Sequence, residues 1–191
     1  MIQELKGYVK IYKCIDESGL QEQIFETSNT LVYQGREALL PILLRVPNEE
    51  ITPQPNWGLW WWALGSGGVL DPTDPATRVL PSPFDTQLGN HLALFDPTVP
   101  GTTPDGKYRQ ITNVTYLKDS VNGNFYLIAV LSLRIGKNEF NGVNISEAGL
   151  FLSNSTIPDS AIRYTLFSRV TFPAILKQDT FSLLLSWYLY V

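Results

Sequence analysis

The sequence predicts a mainly β protein: an antiparallel β-sandwich or sheet with about two short α-helices and long Pro/Gly-rich loops. Three observations predict it. At the C-terminal end Phe181, Leu183, Leu185, Trp187, Leu189 and Val191 share one face of an extended chain. Thr180, Ser182, Ser186, Tyr188 and Tyr190 share the other, and only Leu184 breaks the polar register. Nine Phe, nine Tyr and five Trp are residues that fit a pleated, half-buried surface. Thirteen Pro and fourteen Gly fall in turn clusters between the periodic runs, not in one low-complexity tail.

Taken in order, residues 5–15 and 20–28 read as a first hairpin. Tyr8, Lys10, Tyr12 and Cys14 alternate with Val9, Ile11, Lys13 and Ile15, and Asp16-Glu17-Ser18-Gly19 supplies the turn. Ser28-Asn29-Thr30 offers capping oxygens for a helix over 31–44, in which Leu31, Ala38, Leu39, Ile42 and Leu43 share a face. Pro41 should end or kink it. A loop at 47–56 precedes a strand carrying Trp57, Trp60, Trp61 and Trp62. Trp60 and Trp62 point one way, and Leu59, Trp61 and Ala63 the other. Large apolar groups on both faces place such a strand either between layers of the core or under a partner chain. The second option makes these four tryptophans the candidate interface.

Gly65-Ser66-Gly67-Gly68 lacks the Gly-Lys-Ser/Thr of a phosphate loop and reads as a glycine turn leaving the strand. Prolines 72, 75, 81 and 83 make 71–83 an extended, exposed loop. Asp85 or Thr86 caps a predicted short helix through Leu94, with Leu88, Leu92 and Phe95 inward and His91 opposite them, on the surface. A second Pro/Gly loop covers 96–106. Residues 108–118 and 124–135 form a second hairpin around Asn122-Gly123. Strands at 148–153, 163–172 and 180–190 complete a count of seven to nine. Without a repeat or a linker, residues 1–191 read as one β-rich domain with loop insertions at 47–56, 71–83 and 96–106.

Composition narrows the function. A net charge of −4 without a Lys/Arg run argues against a nucleic-acid binder. The N-terminus has no signal-peptide pattern, and no apolar run reaches the roughly 18 residues of a membrane span. A chain made in a cytoplasm, with no membrane partner, is expected. Cys14, the single cysteine, cannot form an intrachain disulfide or by itself a zinc site, and reads as a buried thiol. His91 is the single histidine and has no motif partner, so no catalytic residue is assigned. No Asp/His cluster has metal spacing and no cofactor motif is present.

Glu147, Arg169 and Lys177 are charges set within apolar strands. The residues leave open a structural ion pair or the satisfaction of backbone groups at a sheet corner. The tryptophans also permit a sugar-stacking platform, and hence a carbohydrate-binding module. Only 17% of residues are charged, which is little for a freely dissociating surface.

Several short blocks, in order, resemble small virion proteins of tailed bacteriophages. Thr30-Leu31-Val32-Tyr33-Gln34-Gly35-Arg36-Glu37 resembles their N-T-L-V-x-x-G-R-E opening, and Ala63-Leu64-Gly65-Ser66-Gly67-Gly68 the Gly-x-Gly-Gly step that follows it. Asp85-Thr86-Gln87-Leu88 is similar to their T-x-L helix. Ile145-Ser146-Glu147-Ala148-Gly149-Leu150-Phe151 is similar to their N/S-E-x-G-L-F strand. Arg169-Val170-Thr171-Phe172-Pro173-Ala174-Ile175-Leu176-Lys177 resembles R-x-x-F-P-x-I-x-K, and Leu185-Ser186-Trp187 the closing Trp strand. Tail-collar domains share the Glu-x-Gly-Leu-Phe and terminal Lys pattern.

The resemblance spans nearly the whole chain. It implies a non-enzymatic, structural role without a cofactor in the virion tail, as a baseplate wedge or tail-fibre adaptor subunit. Its partners would be other tail, baseplate or fibre proteins and copies of itself in a multi-copy ring. The long loops 71–83 and 96–106, with few apolar anchors, are expected to need a neighbour to order them. The alternative implied is a carbohydrate-binding, receptor-recognition module of the same tail.

Overall fold

The computed structural model describes residues 7–15, 21–36, 58–121, 124–153 and 164–190. These form ten strands in two antiparallel five-stranded sheets. In chain order they are β1 (Gly7–Cys14), β2 (Gln21–Ser28), β3 (Thr30–Leu31), β4 (Gly58–Gly65), β5 (Tyr108–Gln110), β6 (Asn113–Val121), β7 (Asn124–Ile135), β8 (Asn144–Ser153), β9 (Tyr164–Leu176) and β10 (Ser182–Tyr190). The first sheet has the order β2-β1-β10-β7-β6, and the second β3-β9-β8-β4-β5.

The C-terminal strand lies at the centre of the first sheet, paired along its length with β1 and with β7. Its apolar face, with Leu183, Leu185, Trp187 and Leu189, joins Val9, Ile11, Leu131, Leu133 and Ile135 from its neighbours. Across from them the second sheet contributes Trp62, Leu64, Ala148, Leu150, Leu152, Val170 and Phe172 to the same buried cluster. Two inner faces sharing one core make a sandwich. Trp62 and Trp187 meet at its middle, with ring centroids 5.6 Å apart. On the outer face of the first sheet Tyr8 stacks on Tyr188 at 4.4 Å, with Lys10 over both rings.

The second sheet is covered on its outer face too. Val32, Trp61, Ala63, Leu88, Phe151 and Leu166 form a second buried cluster there, with Tyr108 and Tyr164 packed against it. The long segment between β4 and β6 supplies part of the cover.

Several sequence expectations need correction. Residues 108–118 are not one strand. β5 pairs with β4 in the second sheet and β6 with β7 in the first. The chain changes sheets at Ile111 and Thr112, with Ile111 buried in the core. The helix over 85–94 is absent, because the amides of Gly89 and Asn90 are donated sideways to a carboxylate. Leu88 goes to the outer cluster and Phe95 to the inner one, so their helical spacing is coincidental. The predicted helix over 31–44 begins instead as β3, followed by one helical turn at 33–36. Its remainder, like the loop at 47–56, lies outside the described residues. Pro173 sits inside β9 beside a register shift. Thr171 faces Glu147 and Ile175 faces Ile145, so extra β9 residues bulge out at the proline.

Candidate functional site

β8 and β9 carry the charges singled out by sequence. Glu147 is fully buried and Arg169 nearly so. Arg169 donates from Nε and Nη2 to Glu147 Oε2, at 2.9 and 2.6 Å, and from Nη1 to Asp85 Oδ2 at 2.7 Å. Burial works against the guanidinium charge, but the Asp85 and Glu147 contacts outweigh it and raise the Arg169 pKa above its ordinary value. Three backbone amides complete the carboxylate's partners. Gly67 and Asn90 donate to Oε1 at 2.9 and 2.8 Å, and Gly89 to Oε2 at 3.0 Å. Asp85 Oδ2 in turn accepts the Ser82 amide.

Gly67 of the glycine turn, together with Gly89 and Asn90, thus makes an anion cradle filled by a carboxylate of its own chain. Gly68 N donates to Ser146 Oγ at 2.9 Å, and a Cβ on Gly68 would collide with the Ser146 carbonyl. A Cβ on Gly67 would lie 2.5 Å from Asn90 N. Gly149 leaves room for Leu88, whose Cδ2 would be 3.0 Å from an added Cβ. Gly35 packs on the backbone of Phe167, and Asn29 Nδ2 donates to Ser168 Oγ at 2.8 Å. Blocks far apart in sequence therefore meet on β9 around Ser168 and Arg169. Of the residues in this lattice, sequence reasoning took Asp85 only as a helix cap and did not single out Ser146 for a contact.

Lys177 is buried apart from this cluster. Its Nζ donates to the carbonyls of Lys137 and Gln178, at 3.0 and 2.7 Å, and to Asn141 Oδ1 at 3.2 Å. Burial lowers its pKa, opposed by the charges of Glu139 and Asp179. Lys177 therefore satisfies the backbone carbonyls of Lys137 and Gln178, and Asn141 of the 136–142 turn, instead of pairing with Glu147. Beside it Arg109 and Glu139 form an ion pair at 2.5 Å, and Glu139 Oε2 accepts the Gly136 amide. Burial alone would raise the Glu139 pKa, but the Arg109 and Gly136 hydrogen bonds bring it below the ordinary value. The Arg109 guanidinium lies over the Phe95 ring.

A pocket of about 410 Å³ opens on the outer face of the second sheet. Leu88, His91, Tyr108, Phe151 and Tyr164 give it an aromatic lining, and Gln87, Thr103, Asp105 and Lys107 a polar one. His91 is half-buried rather than a surface residue. It lies edge-on to Tyr108 at 4.8 Å, with Nε2 3.0 Å from the Lys107 carbonyl, so Nε2 carries the proton. Burial lowers its pKa. Burial, then the nearby Asp105, pushes the Tyr108 hydroxyl up to about 12. Burial raises the Asp105 pKa, but hydrogen bonds from Thr103 and Lys107 hold it below the usual range.

The four candidate interface tryptophans divide. Trp61 and Trp62 are fully buried within this chain, on opposite faces of β4, so they offer no surface to a partner. The covering layer that both faces demanded comes from the chain itself. Trp57 lies outside the described residues, and for Trp60 only the backbone, in β4, is described. Cys14 is a buried free thiol. Both long loops find anchors inside the chain. Val79 N donates to Gly68 O and Gln110 N to Gly101 O, while Thr102 and Thr103 are buried. Those anchors are polar, which an accounting of apolar residues misses.

Among the described residues no group of three or more His, Cys, Asp or Glu is placed to hold a metal ion, and no helix is long and apolar enough to cross a membrane. No family model, curated protein or solved structure matches this chain.

Proposed function

We propose that this chain is a structural subunit of a tailed-bacteriophage virion, a baseplate wedge or tail-fibre adaptor. It links tail components through protein–protein contacts, with copies of itself and with other tail or fibre proteins, and is made in the host cytoplasm. One observation carries the reading. The blocks that resemble small tail proteins are scattered through the sequence, yet Gly35, Gly67, Asp85, Leu88, Glu147, Gly149 and Arg169 converge in space. What they build is a loop platform pinned to a sheet, with its charges spent on one another. That is suited to passing force between neighbours. Leu70, Leu80 and Phe84 stand on the platform 83%, 68% and 76% exposed, and Tyr33 packs beside Phe84 at 5.1 Å. They offer an apolar contact to a neighbouring protein.

Cryo-electron microscopy of purified particles of the encoding phage tests this. Density for the chain at the tail base or fibre root is expected. Absence of the chain from purified particles would overturn the reading.

A second reading, host-glycan recognition, is favoured by the aromatic pocket alone. It moves the sugar platform from the tryptophans to Tyr108 and His91. Saturable glycan binding by the isolated protein, abolished in Tyr108→Ala, would favour it.

A further inference from the structure

A β-sandwich has four sheet edges, and a strand edge with unpaired N–H and C=O groups invites another strand unless it is defended. Among the described residues three edges are defended. β3 and β5 are two and three residues long. β2 carries Glu22 and Glu26 and meets β1 through a register shift at Ile11/Tyr12. The fourth edge, β6, is nine residues long, has no proline, pairs with β7 without a register shift, and confines its charges to Lys118 and Asp119. It also carries large apolar groups in the open. Val114, Tyr116 and Leu117 are 40%, 67% and 44% exposed. Val114 and Tyr116 lie opposite Leu131 and Ala129, on the face that forms the core further in, so β6 overhangs the second sheet.

We propose that β6 is the contact by which two copies of this chain pair, antiparallel and edge to edge, about a two-fold axis through Leu117. The ladder to β7 fixes the register. Val121 pairs with Asn124 across a two-residue connection, so Val121 and every second residue back to Asn113 turn their N–H and C=O toward β7. Val114, Tyr116, Lys118 and Ser120 therefore turn theirs outward. A two-fold axis normal to the sheet must pass through one residue facing its own copy.

Centring on Leu117, the midpoint of Asn113–Val121, uses the whole edge. Val114 then pairs with Ser120 and Tyr116 with Lys118, in both directions, and every outward group finds a ladder partner. Centring on Tyr116 leaves Ser120 beyond the end of the partner strand. The Leu117 register also sets the ammonium of Lys118 beside the Tyr116 ring of the partner and no lysine opposite a lysine. It joins the two first sheets into one. Such a pair closes at two, so a ring of copies would need a different surface as well. The inference stands on the edge geometry, whatever the chain's place in a virion.

Light scattering of the full chain over a concentration series tests the contact. The dimer mass is expected, and a monomer throughout overturns the proposal. Register is read by cysteine substitution, with Cys14 buried and giving no background. Under mild oxidation Leu117→Cys should form a disulfide-linked dimer, because that residue faces its own copy in a non-hydrogen-bonded pair. Thr115→Cys should not, because Thr115 faces position 119. Equal cross-linking of the two overturns the register. Tyr116→Pro removes an outward N–H and should abolish the dimer while the near-ultraviolet signal of Trp62 and Trp187 persists. A dimer that survives it lies elsewhere and overturns the proposal.

Discussion

Arg169 sets two nitrogens on one oxygen of Glu147, although the two residues are not direct cross-strand neighbours. Arg169 stands opposite Gly149 and Glu147 opposite Thr171. The contact is diagonal, and Gly149 keeps the space beside it free for Leu88. Replacing Glu147 by Gln keeps the shape but leaves a buried guanidinium with one carboxylate partner and sets an amide donor among donors. Destabilisation of about 3–5 kcal/mol is expected in urea unfolding. A cost under about 1 kcal/mol would mean that the carboxylate does not pin the loops.

The glycines give a graded test of the cradle. Gly68→Ala forces a methyl into the Ser146 carbonyl, whereas at Gly136 the nearest atom is the Glu139 carboxylate at 3.4 Å, an ordinary van der Waals contact. Thermal unfolding should show Gly68→Ala losing roughly 1–3 kcal/mol or more. Gly136→Ala should stay within about 1 kcal/mol of the parent protein. The reverse order would contradict the close approach.

Trp187 fills the centre of the core, yet its indole N–H and that of Trp62 find no acceptor among the described residues. Trp187→Ala should therefore cost roughly 3–5 kcal/mol. Trp187→Phe loses less apolar volume and also removes an unsatisfied donor, so it should cost clearly less than Trp187→Ala. Denaturant midpoints of the two variants decide it.

Lys177 holds the turn at 136–142 through the Lys137 carbonyl and the Asn141 amide oxygen, and it also donates to the Gln178 carbonyl. Lys177→Met keeps the stem but removes every donor, at an expected loss of about 1–3 kcal/mol. Limited proteolysis should show faster cleavage within 136–142 in the variant, and no change there would sever Lys177 from the turn.

His91 makes stability depend on pH. Its folded pKa lies below the ordinary 6.5, because burial disfavours the imidazolium. As pH falls through 6.5 the unfolded chain takes up the proton first, so stability declines from there until pH passes the folded value. His91→Gln should flatten the stability profile in that window. An unchanged slope between the two proteins would show that His91 is not the group responsible.

The strands were legible because alternation survives in Phe181 to Leu189, and because Glu147 and Arg169 were conspicuous charges in apolar surroundings. Both faces of the tryptophan strand needed cover, and that too was readable. Its source was not, because Trp61 is covered partly by Leu88, which comes from a segment resembling a helix by spacing alone. Gly65–Gly68 read correctly as a turn, but the anion it holds lies 79 residues beyond Gly68, at Glu147. The split between β5 and β6 was hidden because alternation continues across Ile111 while the pairing partner changes.

The Glu147 cradle also bears on the order in which the molecule can form. Gly67, Gly89 and Asn90 have no settled acceptor until β8 has been made and Arg169 of β9 has closed on it. These three contacts therefore cannot be complete before Glu147 and Arg169 are in place, though Gly67, Gly89 and Asn90 precede both in the chain. In deuterium exchange these three amides, which belong to no strand or helix, are expected to be better protected than the exposed loop around them, because each is held by the buried Glu147 carboxylate.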